Sequence, residues 1–126
     1  MVIDSSVLVA ILFEESDADA LTEAIENASP RLLSAASLLE CSMVIEARKG
    51  VEGARDLDLF IYRAQIEIVA VDPQQAEVAR VAWRRFGKGN HPAGLNYGDL
   101  FSYALAKVTG SPLLYKGGDF SRTDLG

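Results

Sequence analysis

The sequence predicts an α/β fold in which a central parallel sheet has helices on both faces. The four predicted strands are short apolar runs, and helical patterns lie between them. The strands are Val2 to Asp4, Arg31 to Ser34, Ile66 to Val71 and Leu113 to Tyr115. Strands that alternate with helices in this way usually pair in parallel, since each helix returns the chain across the sheet. The 126 residues contain no linker or internal repeat, so a single domain over residues 1–126 is expected.

The helices are predicted from apolar residues that recur at spacings of three and four. In chain order they cover Ser5 to Phe13, Asp17 to Ala28, Ser37 to Lys49, Gly53 to Gln65, Pro73 to Phe86 and Asn96 to Thr109. Gly50 ends the third of these helices, and Pro73 is favourable at the start of the fifth. Between the last two helices, Gly87 to Leu95 holds three glycines and a proline and is predicted to be a functional loop or lid.

Apolar side chains with helical spacing are predicted to be core rather than binding surface. The pair Trp83 and Phe86 is predicted to be core or helix packing rather than a platform for stacking bases. A longer stripe comprises Tyr97, Phe101, Leu105 and Val108. The only cysteine, Cys41, lies in a similar pattern and is expected to be a small buried residue. A single cysteine cannot form an internal disulfide, and it excludes a cysteine-rich zinc site.

No segment predicts a membrane span or a secretory signal. The longest apolar stretch near the start, Val7 to Phe13, is far too short to cross a bilayer and is followed by Glu14 and Glu15. No positively charged segment precedes it, as a secretory signal would require. Together with the single cysteine, these features predict a cytoplasmic protein.

The net charge of −6 argues against nucleic-acid binding by the protein as a whole, but the charge is unevenly distributed. No acid occurs from Val78 to Gly98, where the basic side chains are Arg80, Arg84, Arg85 and Lys88, with His91 able to add to them. A locally basic segment can hold phosphates on an acidic protein, because salt makes the interaction short-ranged. A solvated helix face explains the same charges equally well.

Four acids are predicted to meet at one edge of the sheet. Asp4 closes the first strand, Asp119 follows the last one, and Glu40 and Asp99 lie near helix starts. In parallel sheets ligands bind beyond the carboxyl ends of the strands, which is the edge that these positions share. Carboxylates brought together repel each other unless a cation lies between them, and Mg²⁺ or Mn²⁺ suits oxygen ligands best. The pattern therefore predicts a metal-dependent phosphodiesterase.

Each acid also has a purely local explanation, and both explanations remain open from the sequence. Asp4 could cap the helix that follows, with a neighbouring serine sharing that role. Ser37 to Glu40 matches a capping box, and Asn96 to Asp99 is a similar arrangement. Asp119 lies in a glycine-rich turn, where aspartate is common.

The residues near Asp4 extend the metal hypothesis. Ser6 is expected to hydrogen-bond Asp4 or a water molecule on the metal. A bound ion would lower the pKa of the attacking water, so no covalent nucleophile is needed. A serine–histidine triad is not expected, since the only histidine, His91, lies in a loop with no evident partner.

Four segments carry a resemblance to a known family. They are Val2-Ile3-Asp4-Ser5-Ser6-Val7-Leu8-Val9-Ala10, Ser37-Leu38-Leu39-Glu40, Gly94-Leu95-Asn96-Tyr97-Gly98-Asp99 and Leu113-Leu114-Tyr115-Lys116-Gly117-Gly118-Asp119-Phe120. In this order and spacing they span essentially the whole chain. The sequence resembles the PIN-domain ribonucleases and, among them, the VapC-type toxins of toxin–antitoxin modules.

The resemblance implies a PIN-like three-layer α/β/α fold and a Mg²⁺- or Mn²⁺-dependent endoribonuclease, the toxic component of a type II toxin–antitoxin module. Asp4 and Asp99 match the acids that bind metal most directly, and Glu40 matches the third acid of the cluster. Ser6 matches a polar residue that supports the first aspartate, and Asn96 lies beside the third motif. The implied partners are RNA as substrate, a cognate VapB-like antitoxin that blocks the acidic groove, and a second copy of the chain in a homodimer. Operator DNA would be contacted only through the antitoxin.

One departure from the family pattern concerns the fourth acid. Many members carry a Thr-x-Asp-like sequence after the last strand, and that register here gives Tyr115-Lys116-Gly117. The acid follows two residues later as Asp119, which either replaces the fourth acid through a shifted loop or is a turn residue. The hypothesis assigns catalysis to four acids and guidance of the RNA backbone to three basic residues. These are Asp4, Glu40, Asp99 and Asp119, and Arg84, Arg85 and Lys88.

Two rival functions fit parts of the same pattern. A catalytically silent PIN-like module would hold RNA or a protein partner without cutting, but none of the three main acids is missing here. A phosphatase of the haloacid-dehalogenase type also begins with an aspartate at a strand end. It normally has a second aspartate two residues later, where this sequence has Ser6. The nuclease is therefore the preferred prediction.

Overall fold

Four short parallel strands form the centre of the protein. They are β1 (Val2–Ile3), β2 (Leu32–Ser34), β3 (Glu67–Val69) and β4 (Leu113–Leu114), and they lie in the order β3-β2-β1-β4. The computed structural model describes all of residues 1–126. Val2 pairs with Leu32 on one side and with Leu113 on the other, and every pairing in the sheet is parallel. The predicted parallel sheet is confirmed.

Five helices cover the sheet. In chain order they are α1 (Ser5–Leu12), α2 (Ala18–Glu26), α3 (Ala35–Arg63), α4 (Pro73–Phe86) and α5 (Tyr97–Thr109). The long helix α3 joins two helices that the sequence predicts separately. Gly50 marks their junction with φ 64° and ψ −153°, a backbone conformation that is essentially restricted to glycine. The predicted helix end at Gly50 therefore corresponds to a kink within α3.

Alternate strand residues point to opposite faces of the sheet, which explains the layers. Ile3 and Leu33 pack with the buried side chains of α1, α2 and α3. Val2 and Leu32 pack on the other face against Leu105 of α5. Because both faces are covered, every residue of the central strands is buried, and all except Ser34 are apolar. The result is the predicted three-layer α/β/α arrangement.

Two predictions about individual elements are wrong. The run from Ile66 to Val71 predicts a longer strand than the three residues of β3, and β3 is an edge strand with exposed side chains. The predicted core stripe on α5 fails at its first member, because Tyr97 is 79% exposed whereas Leu105 is fully buried. Trp83 is also half exposed, whereas Phe86 is buried as expected.

The prediction that Cys41 is buried is confirmed. Cys41 is buried within the cluster around the sheet, as its apolar surroundings in the sequence predict. Burial raises the pKa of its thiol to about 12, with a contribution from the nearby charge of Glu40. The thiol is therefore protonated at neutral pH and unreactive.

No helix is both long enough and apolar enough to span a bilayer.

Candidate active site

The topology of the sheet places the candidate site at the carboxyl ends of β1 and β4. From β1 the chain adds β2 and then β3 on one side, and β4 returns to the opposite side of β1. Ligands in open α/β sheets bind where the order reverses in this way. Asp4 directly follows β1, and its backbone N–H donates to the carbonyl of Leu114 in β4 at 2.9 Å. The first acid therefore lies at the switch point of the fold.

Asp4 is a buried helix cap whose two carboxylate oxygens both accept hydrogen bonds. Its side chain is only 3% exposed. Oδ2 accepts from the backbone N–H of Ser6 at 3.1 Å, and Oδ1 accepts from the hydroxyl of Ser102 at 2.6 Å. Ser102 in turn lies 3.2 Å from the hydroxyl of Ser37. The cap interpretation is correct for Asp4, and the same contacts fix the direction of its carboxylate.

Asp99 is part of the capping box that starts α5. Its backbone N–H donates to Asn96 Oδ1 at 2.9 Å, and the backbone N–H of Asn96 donates to Asp99 Oδ2 at 3.0 Å. Asp99 is only 8% exposed, and such deep burial is unusual for a carboxylate without a cationic partner. Asn96 thus holds Asp99 in place through the backbone and the side chain together.

The electrostatics show that three of the acids share one local field. Burial, together with the negative charges of Asp119 and Asp4, raises the pKa of Asp99 to about 7 against the opposing hydrogen bond from Asn96. Asp119 itself is exposed, in the turn that follows β4. That turn is anchored by its neighbour Phe120, which is fully buried against Tyr115. The shifted loop therefore brings Asp119 to Asp99.

Glu40 is free of the capping box that the sequence suggests. The predicted box from Ser37 is wrong, because α3 begins earlier, with Ser34 as its N-cap accepting from the N–H of Ala36 at 3.3 Å. Glu40 instead accepts a hydrogen bond from the hydroxyl of Ser5 at 2.7 Å. Its carboxylate also lies directly against Gly98, the residue before Asp99.

Ser6 contacts Asp4 through its backbone rather than through its hydroxyl. Its N–H donates to Asp4 Oδ2 at 3.1 Å, and its hydroxyl accepts from the backbone N–H of Lys116 at 3.0 Å. Ser5 and Ser102 are the hydroxyl donors to the acids, and sequence reasoning missed both. A signal for Ser102 exists, since it lies three residues after Asp99 and therefore on the same face of α5.

The donor set fits a hard divalent cation. None of the four acids pairs with a lysine or arginine, and the nearby Lys116 donates instead to Glu15 at 2.5 Å and Asp17 at 3.1 Å. No three of the carboxylates converge tightly enough to ligate one ion together. Mg²⁺ does not require this, because it commonly takes one or two carboxylates and retains several waters.

The predicted basic residues lie apart from the acids. Arg84, Arg85 and Lys88 are exposed at the end of α4 and just beyond it, and none contacts an acid of the site. The guanidinium of Arg85 lies 4.6 Å from the ring centroid of Phe86. The loop from Gly87 to Leu95 is closed by its own hydrogen bonds, including Lys88 N–H to the Leu95 carbonyl at 2.9 Å. Leu95 is buried, so the loop is anchored to the core.

Comparison with known proteins gives one consistent family. The family model of the PIN domain matches residues 1–125. Ribonuclease VapC of Mycolicibacterium smegmatis is 58% identical over 125 residues, which are 99% of this chain and 97% of the relative. Ribonuclease VapC30 of Mycobacterium tuberculosis is 56% identical, over 99% of this chain and 95% of the relative.

A solved structure supports the fold. The crystal structure of Mycobacterium tuberculosis VapC20, described as a sarcin–ricin loop cleaving toxin, aligns with a TM-score of 0.75 at 18% identity. The alignment covers 95% of this chain and 92% of that one. The predicted PIN-like fold and family resemblance are both confirmed, and the chain belongs to the PIN-domain family, among the VapC ribonucleases.

Proposed function

We propose that this protein cleaves RNA phosphodiester bonds at the site formed by Asp4, Glu40, Asp99 and Asp119, as the toxic component of a type II toxin–antitoxin module. One observation carries this proposal above the others. Acids from both ends of a VapC-type chain are brought to the switch point of the sheet with no cationic side chain to neutralise them. Such a field favours a metal ion and, through it, a phosphate group.

The metal would be Mg²⁺, with Mn²⁺ as an alternative, and Asp4 and Asp99 would hold it with Glu40 beside them. When bound, the ion would lower the pKa of an attacking water and stabilise charge on the scissile phosphate. In the metal-free protein the raised pKa of Asp99 keeps its carboxyl protonated at acidic pH, and binding of the cation would displace that proton. Asp119, which is exposed, is the outer member of the set.

The residues around the acids supply orientation. Ser102 and the backbone of Ser6 hold the two oxygens of Asp4, so this carboxylate keeps a single direction. Ser5 holds one oxygen of Glu40 and leaves the other available to orient a water molecule. Hydrogen bonds of this kind around metal ligands typically affect affinity or activity by about 10- to 100-fold.

RNA would approach with its backbone towards Arg84, Arg85 and Lys88. These side chains are exposed and belong to the segment from Val78 to Gly98 that contains no acid. An approaching phosphate would therefore meet no local negative charge from this segment.

The proposed protein partners are a VapB-like antitoxin and a second copy of the chain. Leu39, Met43 and Tyr97 are exposed apolar side chains around Glu40, and they line one groove between α3 and α5. Exposed apolar groups in such a patch favour association with another protein surface. Operator DNA would be bound only through the antitoxin.

The test is cleavage of a mixed RNA pool by the purified, antitoxin-free protein with Mg²⁺, with Mn²⁺ and with EDTA. We expect cutting with either metal, none in EDTA, and none by Asp99→Asn, whose side-chain oxygen can still accept from the backbone N–H of Asn96 in the capping box. Cutting by Asp99→Asn at the wild-type rate would overturn the assignment of the site. Binding of RNA in EDTA without cleavage under any metal would indicate a binding module instead.

A further inference from the structure

Gly98 occupies a position where glycine is unfavourable on local grounds. It is the second residue of α5, between Tyr97 and Asp99, and it does not have a positive φ. Its conformational freedom is therefore not used. In a helix, glycine typically costs about 0.5–1 kcal/mol relative to alanine. The reason for a glycine here must lie in what surrounds it.

The space beside Gly98 is taken by the carboxylate of Glu40. A methyl group on Gly98 would lie 2.7 Å from Glu40 Cδ and 2.8 Å from Glu40 Oε1, closer than real Cβ atoms approach such groups. The three nearest atoms all belong to this one carboxylate. Gly53 differs, because a Cβ there would meet the side chains of Lys49 and Ile45 within α3 itself.

Glu40 is held from the other side by Ser5. The Ser5 hydroxyl donates to Oε1 at 2.7 Å, and Ser5 directly follows Asp4. Gly98 directly precedes Asp99. The Glu40 carboxylate is thus held between the neighbours of the two acids to which we assign metal binding.

We propose that Gly98 is a positioning residue for RNA cleavage, because its missing side chain lets the Glu40 carboxylate lie against the first turn of α5. This inference rests on the proposed nuclease function. The end of a glutamate side chain is flexible, so a methyl group at position 98 would displace Glu40 and leave the helix in place. The loss would be one of geometry at the site, separate from folding.

Gly98→Ala tests this directly. We expect its Tm to equal or exceed that of the wild type, since alanine favours the helix. We expect kcat for RNA cleavage to fall by about tenfold or more with little change in KM, and Mn²⁺ binding measured by calorimetry to weaken. The matched control is Gly118→Ala, which also precedes an acid but whose Cβ would meet only Ser121 Oγ, at 4.0 Å. That control should match the wild type in kcat and Mn²⁺ affinity.

The Glu40→Ala background separates positioning from a structural effect. There Gly98→Ala should change neither kcat nor Mn²⁺ affinity further, because the carboxylate that it displaces is gone. Wild-type kcat and Mn²⁺ affinity in the single variant, an equal loss in both backgrounds, or a lower Tm would each overturn the inference. If the wild type cuts no RNA, the nuclease proposal fails, and Mn²⁺ affinity alone then decides whether Gly98 positions Glu40.

Discussion

Single residues at this site combine two roles that the sequence presents as alternatives. Asp4 is the N-cap of α1, Asp99 is the partner of the N-cap Asn96 in the capping box of α5, and both belong to the acidic cluster. The two roles are compatible because a helix N-terminus carries partial positive charge and stabilises a carboxylate. Asparagine is an equally good N-cap at position 4, and at position 99 its side-chain oxygen can still accept from the backbone N–H of Asn96, so Asp→Asn variants isolate the charge from the fold.

The raised pKa of Asp99 predicts how stability depends on pH in the metal-free protein. Its folded pKa of about 7 lies above the ordinary value of 3.8, so the folded state binds the proton more tightly than the unfolded state. This contribution to stability is complete below pH 3.8 and is lost as the pH rises through 7. In EDTA, Asp99→Asn should therefore melt at a higher temperature than the wild type at pH 8.

Thermal melts at several pH values check this expectation. The difference in Tm should shrink as the pH falls below 7 and should be smallest below pH 3.8, where the wild-type carboxyl becomes protonated in both the folded and the unfolded state. Adding Mg²⁺ at pH 8 should raise the Tm of the wild type more than that of the variant, because only the wild type retains the full ligand set. Equal melting temperatures of the wild type and Asp99→Asn at pH 8 in EDTA would show that the negative charge of Asp99 does not destabilise the metal-free fold.

The acids could be predicted from the sequence, but their hydrogen-bond partners could not. Strand-end positions identify Asp4 and Asp119, since the parallel topology fixes which edge they share. Ser102 is 98 residues from Asp4 in the chain, and only the packing of α5 against β1 brings them together. The choice between Ser5 and Ser6 depends on the rotation of α1, which spacing alone does not determine.

Among the elements, helix α3 depends most clearly on one residue. Gly50 divides it into a first half that carries Glu40 and a second half that packs Leu57 against the sheet. The direction of the second half is therefore fixed by a backbone conformation that is essentially restricted to glycine. A side chain at this position would meet no steric obstacle, so any cost arises from the backbone alone.

Gly50→Ala should consequently reduce the free energy of unfolding by about 1–3 kcal/mol. Urea denaturation followed by circular dichroism would measure this change. The neighbouring Val51→Ala is a suitable control, since Val51 is exposed and its truncation should stay within about 0.5 kcal/mol. An unchanged midpoint for Gly50→Ala would mean that the kink relaxes without strain.

Element boundaries were predictable where local chemistry determines them. Pro73 to Phe86 is the same in sequence and structure, because Asp72 caps the helix and proline suits its first turn. The start of α3 was placed two residues too late, at Ser37 and not at Ala35, since Ser37 resembles a cap as well as Ser34 does. The end of β3 was misjudged because β-branched residues do not distinguish an edge strand from the loop that follows it.

At the scale of the whole molecule, the segment after β4 ties the last strand to α5. Phe120 is fully buried, and Leu125 packs between the two apolar clusters on that side of the sheet. Asp124 accepts from the hydroxyl of Tyr103 at 2.7 Å and from Lys107 at 2.9 Å. These contacts fix the path of the turn that carries Asp119.

Asp124→Ala should lower the Tm at pH 7, because the partly buried hydroxyl of Tyr103 and the ammonium of Lys107 would lose their acceptor, a loss of about 0.5–1.5 kcal/mol. Burial raises the pKa of Asp124, but the hydrogen bonds from Lys107 and Tyr103 outweigh it and leave the pKa lowered. The stabilising contribution is thus present above pH 3.8 and is lost as the pH falls through the lowered value.

Melting curves of the wild type and Asp124→Ala between pH 3 and pH 7 would test this. We expect their separation to narrow at the acidic end. A separation that stays constant with pH would show that the carboxylate charge contributes nothing. Tyr103→Phe removes the hydroxyl itself and should make Asp124→Ala less costly, since the hydrogen bond between the two side chains is then already absent.

The switch-point location of the site has a consequence for partly folded forms of the protein. Its four acids stand at positions 4, 40, 99 and 119, and no two of them lie within one helix or strand. A subset of the elements, however well formed, assembles at most some of the charges. If the proposed four-acid site is the catalytic one, we expect chain segments released by proteolysis or trapped during folding to leave RNA uncut, whereas the complete fold cleaves it.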